Sequence, residues 1–181
     1  MSSTTEQFLL TAVEQQLAGN SEVASELYCK VLAASPNNLT ALVNQSAIFM
    51  DLQNYAGAAH LLEQALKISP KDVEALNNYG NALKELGLSN NSIAQFQLAH
   101  KLAPDNSIIS SNLGRALLRR GDYEAAIKIF ELAIQTNPNN SGLRFINALA
   151  LPTIPENLKQ LEEARKRQAC LVNDLLKKNL K

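Results

Sequence analysis

Three asparagines, Asn44, Asn78 and Asn112, lie 34 residues apart, and their regular spacing is the strongest chemical signal in the chain. The side-chain amide of asparagine can both donate and accept hydrogen bonds. A row of such amides could pair with the backbone of an extended polypeptide, whatever its sequence. Asparagine is also a mediocre helix former, so its recurrence indicates a use for the amide. The row predicts a polypeptide-binding surface.

Polar and charged side chains of both signs are predicted to flank the asparagines on the same helices. These flanking residues and the three asparagines together form the predicted groove. The flanking residues are Asn81, Arg115, Lys84, Arg119 and Asp51.

Side chains that could support catalysis or bind a metal are few and scattered. His60 and His100 have no Cys, Asp or Glu partners at the spacing of metal ligands. His100 falls where other repeats carry Leu or Ile, so it is predicted to be packed or partly buried. Cys29 is expected to be a small, half-buried residue, and it is far from Cys170 in sequence. The sequence contains no Gly-rich phosphate loop, so we predict a non-catalytic chain without metal or cofactor.

The elements that hold these residues are marked by Pro36, Pro70, Pro104 and Pro138, which also lie 34 residues apart. Proline lacks the amide hydrogen that a helix needs, and it disfavours helical angles in the preceding residue. Each proline follows an apolar helical run and precedes a polar pair. We therefore predict that each proline ends one helix and that an Asn or Asp just after it caps the next.

The prolines and the caps that follow them set the predicted helix boundaries to within about 2–4 residues. The pattern predicts helices over about 4–18, 21–34, 39–52, 55–68, 73–86, 89–102, 107–120, 123–136 and 140–150.

The second helix of each unit carries small, large and small residues on one predicted face. These sets are Ala24, Tyr28, Val31; Ala58, Leu62, Ala65; Ser92, Phe96, Ala99; and Ala126, Phe130, Ala133. A helix pair of this kind cannot cover its own apolar face, so neighbouring pairs must stack.

Glycines recur at two positions of the unit. Gly19, Gly87 and Gly121 are predicted in the turns between paired helices, where a positive φ is useful, and Gln53 takes the equivalent place. Gly80 and Gly114 lie within helices and predict a close approach by a neighbour.

These residues resemble the tetratricopeptide repeat, whose unit length is 34. Residues 75–83 with Gly87, Phe96, Ala99 and Pro104 carry the resemblance, as do residues 112–117 with 121–126, Phe130, Ala133 and Pro138. The resemblance implies an all-α, right-handed α-solenoid with a C-terminal capping helix. Its units are predicted at about 5–38, 39–72, 73–106 and 107–140, with a partial unit at 141–150, so that the array spans 1–150.

Residues 151–181 form a tail with a different pattern. Pro152 and Pro155 break the helix, and an amphipathic helix is predicted from Glu156 to Lys181. Its charged residues, including Arg167, are predicted on the sides away from an apolar stripe. The stripe comprises Leu158, Leu161, Ala164, Gln168, Leu171 and Leu175. The tail is expected to cap the last repeat or to join the array to a further domain.

Two features resemble O-linked N-acetylglucosamine transferases and their bacterial relatives. Residues 144–156 and 161–167 are similar to the junction between repeats and transferase domain, and those repeats also carry an asparagine ladder. This implies that the chain could be the non-catalytic, acceptor-recognising arm of a glycosyltransferase. Asparagine is, however, also common at this position in ordinary tetratricopeptide units. The paired basic residues with which some family members clamp a terminal carboxylate are replaced by Val43, Ala47, Thr40 and Glu74.

Composition narrows the classes of partner. The 181 residues carry 17 basic and 17 acidic side chains, so the formal net charge is zero, which argues against generic binding to nucleic acid or to an anionic membrane. The start of the chain lacks a basic and apolar leader, which predicts a cytoplasmic or nuclear location, and we favour the cytoplasm. The sequence thus favours a protein- or peptide-binding module. A glycosyltransferase arm and a scaffold that self-associates through the C-terminal helix are the alternatives.

Overall fold

The computed structural model describes residues 3–150 and 158–179, and within these ranges the chain is all-α. Its helices are α1 (Ser3–Leu17), α2 (Ser21–Ala34), α3 (Leu39–Asp51), α4 (Tyr55–Ile68), α5 (Val73–Glu85), α6 (Ser89–Leu102), α7 (Ser107–Arg120), α8 (Tyr123–Thr136), α9 (Ser141–Leu149) and α10 (Leu158–Asn179). The first nine agree with the predicted helices to within one residue at each end. The predicted break at Pro152 and Pro155 lies outside the described residues.

The chain divides into two compact units, Met1–Gln95 and Phe96–Lys181, and the division falls within α6. Odd-numbered helices from α1 to α9 are called first helices below, and α2, α4, α6 and α8 are called second helices.

The helix after each proline begins at the predicted cap. The side-chain oxygens of Asn38, Asp72, Asn106 and Asn140 accept hydrogen bonds from backbone N–H groups in the first turns of α3, α5, α7 and α9. Each bond satisfies a donor that has no partner within its helix, and such a cap contributes about 1 kcal/mol. The 34-residue period therefore marks the positions at which α3, α5, α7 and α9 begin.

The turns between paired helices have the predicted backbone. Gly19, Gly87 and Gly121 have φ values of 82°, 77° and 94°. Gln53, at the equivalent position, has φ 59° and is the only non-glycine residue with positive φ in the described ranges. The turn at Gln53 therefore keeps the same backbone geometry although it contains no glycine at this position.

The second helices bury the predicted small–large–small face. In the first unit, Tyr28 and Leu62 are fully buried, and α4 packs against both α3 and α5. In the second unit, Phe130 is fully buried between Ala126 and Ala133. Complete burial of such a large apolar side chain contributes about 1.5–3 kcal/mol. Within the first unit, the core of the α3–α4 hairpin is therefore shared with α5.

Gly114, within α7, marks a close approach, as predicted. A Cβ atom on Gly114 would lie 2.3 Å from Cε1 of Phe130, so no larger residue fits without moving the ring. In the first unit, Ser92 Oγ donates a hydrogen bond to the carbonyl oxygen of Gly80 at 2.7 Å.

The tail helix α10 packs against α9, and five of the six residues of the predicted stripe are half-buried. Leu161, Leu171 and Leu175 are half-buried, whereas Leu158, the first residue of α10, is 77% exposed. Arg167, predicted on a solvent side, is half-buried instead.

Arg167 ties α10 to the end of α9. Its guanidinium donates to the carbonyl oxygens of Ala150 at 3.3 Å and Asn147 at 3.1 Å, and to Asn147 Oδ1. These carbonyls lie in the last turn of α9 and at its C-cap, where a cation is favourable. Burial lowers the pKa of Arg167, and Glu131, whose carboxylate is 3.9 Å away, opposes that shift.

Two further expectations concern reactive side chains. His100 is half-buried, as predicted, and its Nδ1 lies 3.2 Å from Ser110 Oγ, while burial lowers its pKa. Cys29 was expected to be half-buried, but it is exposed, because Tyr28 rather than Cys29 points into the core. The described residues contain no cluster of three metal-binding side chains, and none of their helices is long and apolar enough to cross a membrane.

Candidate binding surfaces of the two units

In the first unit, the asparagine row begins with a residue that is already engaged. Asn44 Nδ2 donates to the Tyr28 hydroxyl at 2.9 Å, and that hydroxyl donates to Gln16 Oε1 at 2.7 Å. This relay joins α3, α2 and α1. Burial raises the pKa of Tyr28, and the bond from Asn44 works in the opposite direction. The Nδ2 group of the Asn44 amide therefore supports the fold.

Asn78 lies one repeat later, on α5, in a different environment. The residue equivalent to Tyr28 is Leu62, which has no hydroxyl to accept the amide. The contact to Asn78 Oδ1 comes from Asn77 Nδ2 at 3.4 Å, which is a long hydrogen bond. Asn78 is half-buried. Its amide is thus better placed than that of Asn44 to exchange its present contact for a ligand.

The flanking residues of the first unit largely satisfy one another. Lys84 Nζ lies 2.9 Å from Glu85 Oε1 and 3.5 Å from Asn81 Oδ1. An ion pair this exposed contributes at most about 1 kcal/mol, so ligand groups can compete with it. Asp51 is exposed at the end of α3.

In the second unit, two predicted residues line one cleft of about 350 Å³ between α7 and α9. These are Asn112, which is half-buried, and Arg115, which is exposed. Arg119, one turn further along α7, is exposed and outside the lining. The cleft is lined by Ser107, Ile108, Ser111, Asn112, Arg115, Asn140, Gly142, Leu143 and Ile146.

The first helices of the two units differ in charge, which the sequence analysis missed by treating them as one set of mixed sign. In the first unit, α1, α3 and α5 carry five carboxylates and one lysine: Glu6, Glu14, Asp51, Glu74, Glu85 and Lys84. In the second unit, α7 and α9 carry four arginines and no carboxylate: Arg115, Arg119, Arg120 and Arg144. Comparing each first helix separately would have revealed the difference.

Apolar side chains are also exposed beside α10. A groove of about 440 Å³ between α9 and α10 is lined by Phe145, Leu149, Val172 and Leu176, among others. Phe145 is 58% exposed and Leu176 is 56% exposed.

Family models identify the repeats. One model, described as TPR repeat, matches residues 47–87, and another, described as tetratricopeptide repeat, matches residues 80–141. The chain contains tetratricopeptide repeats. These matches fall on the helices and turns whose 34-residue period is described above, and together they span residues 47–141.

Solved structures show the same fold. The MamA protein is 22% identical with a TM-score of 0.84, and the match covers 98% of this chain and 93% of that one. MamA 41-end from Desulfovibrio magneticus RS-1 is 15% identical with a TM-score of 0.84, covering 98% and 96%. YrrB, described as a TPR protein with an unusual peptide-binding site, is 16% identical with a TM-score of 0.77, covering 94% and 84%. No curated protein sequence matches the chain.

The predicted resemblance to a glycosyltransferase junction receives no support from these matches, which are to repeat proteins. Residues 151–156 of that segment lie outside the described residues.

Proposed function

We propose that this chain is a non-catalytic interaction module whose first helices bind extended segments of other proteins. The observation that carries the proposal is the cleft between α7 and α9, where Asn112 and Arg115 lie beside apolar Ile108 and Ile146. In the first unit, Asn78 offers the same amide chemistry on α5. A surface with both amides and apolar side chains suits a polypeptide, whose backbone and side chains need both.

An extended segment fits better than a folded helix as the ligand. An extended backbone presents unpaired N–H and C=O groups along its length, whereas a helix has satisfied its own. An amide side chain can meet either group. The peptide-binding site named for YrrB, a protein of the same fold, supports this choice. A cytoplasmic location stays a prediction from the sequence.

The test uses the full chain and a displayed library of random peptides of about ten residues, long enough to cross several helices when extended. Peptides that the chain enriches are synthesised, and their affinities are measured by fluorescence polarisation. We expect the double variant Asn78→Ala, Asn112→Ala to bind at least about tenfold more weakly, which corresponds to the loss of roughly one or two hydrogen bonds.

The matched control is Asn90→Ala, which removes an exposed asparagine from the second helix α6. It should leave affinity unchanged, and circular dichroism should show all variants folded. Equal affinities for the wild type and the double variant would refute a role for the asparagine row.

Self-association through the C-terminal helix remains a second proposal. The apolar groove that α10 forms with α9 favours it, because a second copy could cover Phe145 and Leu176. Light scattering over a range of concentrations tests it: a monomer at every concentration, unchanged by Leu176→Glu, would refute it.

A further inference from the structure

We infer that the cleft between α7 and α9 selects an acidic residue of the bound segment and that Arg115 binds the carboxylate of that residue. This inference rests on the proposed function and adds the chemistry of the ligand. It concerns the second unit alone.

The first argument is the shape and lining of the cleft. Arg115 is the only charged residue in the lining, and the neutral hydrogen-bonding side chains around it are Ser107, Ser111, Asn112 and Asn140. A guanidinium beside hydroxyl and amide groups matches a carboxylate, which accepts several hydrogen bonds at once. The planar guanidinium can hold both carboxylate oxygens in one geometry.

The second argument concerns which of the four arginines of α7 and α9 already have a partner. Arg120 is committed to Asp122, to which its Nε donates at 2.6 Å. Arg144 lines a different cleft, together with Glu131. Arg115 and Arg119 make no ion pair within the described residues, and they lie one turn apart on the same face of α7. The first helices of this unit therefore carry positive charge that no carboxylate of α7 or α9 offsets.

The third argument is the contrast with the first unit, where carboxylates dominate and Lys84 is paired with Glu85. An acidic residue of a bound segment would meet repulsion from Glu74 and Asp51 there. Opposite charges across an interface fix register and suppress wrong partners. The acidic position of the ligand is consequently assigned to the α7–α9 cleft.

The apolar part of the lining defines a neighbouring position. Ile108 is 65% exposed, and it lies in the cleft with Leu143 and Ile146. Burial of Ile108 against a ligand would remove apolar surface from water. The segment that fits carries an Asp or Glu next to a Leu, Ile or Val.

A nucleic acid fits this lining less well than a peptide. The cleft contains no aromatic side chain on which a base could stack, and the chain has no net positive charge. The site also differs from a clamp for a terminal carboxylate, since a single arginine lies in the lining.

The experiment compares peptides enriched from the random library by the full chain with the same peptides in which Glu or Asp is changed to Gln or Asn. We expect the enriched set to contain an acidic residue beside an apolar one. Arg115→Gln should weaken binding by about tenfold or more and should remove the difference between the acidic and amide peptides. Arg115→Lys should retain part of the affinity, because the charge remains while the planar donor pair is lost.

The matched control is Arg144→Gln, which makes the same change of charge outside this cleft and should bind like the wild type. Increasing salt should weaken the wild type more than Arg115→Gln.

Several outcomes would overturn the inference. Enriched peptides without acidic residues, or equal losses from Arg115→Gln and Arg144→Gln, would refute it while leaving the proposed function standing, provided that binding still requires Asn78 and Asn112. A library that yields no binding peptide would refute the proposed function as well. Arg115-dependent binding of a single-stranded RNA in place of peptides would refute both.

Discussion

At the scale of single residues, the repeat positions of this chain are equivalent in sequence but not in chemistry. Asn44 and Asn78 occupy the same position of successive units, yet only Asn44 meets a hydroxyl, because Tyr28 is replaced by Leu62 in the next unit. The sequence predicts the position of each asparagine. It does not reveal the partner of Asn44, since the pairing crosses between helices of different hairpins.

Removal of the Asn44 amide should therefore destabilise the fold, unlike removal of the Asn78 amide. We expect Asn44→Ala and Tyr28→Phe to couple by about 0.5–1.5 kcal/mol in a double-mutant cycle, the range for a hydrogen bond between neighbours. The measurement is chemical denaturation followed by circular dichroism. Asn78→Ala is the control and should show no coupling to Tyr28→Phe. Additive effects for the Tyr28 and Asn44 pair would contradict this assignment.

At the scale of helices, local rules account for nearly all boundaries, and tertiary contacts account for the exceptions. Proline, the cap that follows it, and the residue with positive φ in the turn fix where helices begin and end, so these were predictable within a residue. The solvent side of α10 was not fully predictable. Arg167 looks like a surface residue in a helical pattern, but carbonyl oxygens at the end of α9 supply its partners.

We predict that Arg167→Met loosens α10 more than Arg165→Met does. Met keeps much of the apolar stem but none of the donors, so the carbonyls of Asn147 and Ala150 lose a charged partner, at a cost of about 1.5–3 kcal/mol. Hydrogen exchange measured by mass spectrometry should show faster exchange along α9 and α10 in the first variant only. Arg165 is exposed on the same helix, so equal exchange in the two variants would show that Arg167 does not hold α10.

At the scale of the whole molecule, the fold was predictable because one pattern is repeated, and the binding surface was less so because it depends on differences between repeats. Tyr28, Leu62, Phe96 and Phe130 all fill the same kind of core position, and each is fully buried. Arg115 has no such recurrence: the equivalent residue of the preceding unit is Asn81. Charge on the first helices thus changes between units while the packing stays the same.

Photo-crosslinking tests the central claim, that the first helices hold a polypeptide, most directly. A peptide enriched by the chain, carrying a photoreactive benzophenone, is irradiated with the full chain, and the crosslinked residues are identified by mass spectrometry. We predict crosslinks on the first helices, including the α7–α9 cleft near Asn112 and Ile108, and competition by unlabelled peptide. Specific crosslinks confined to the second helices or to α10 would contradict the account.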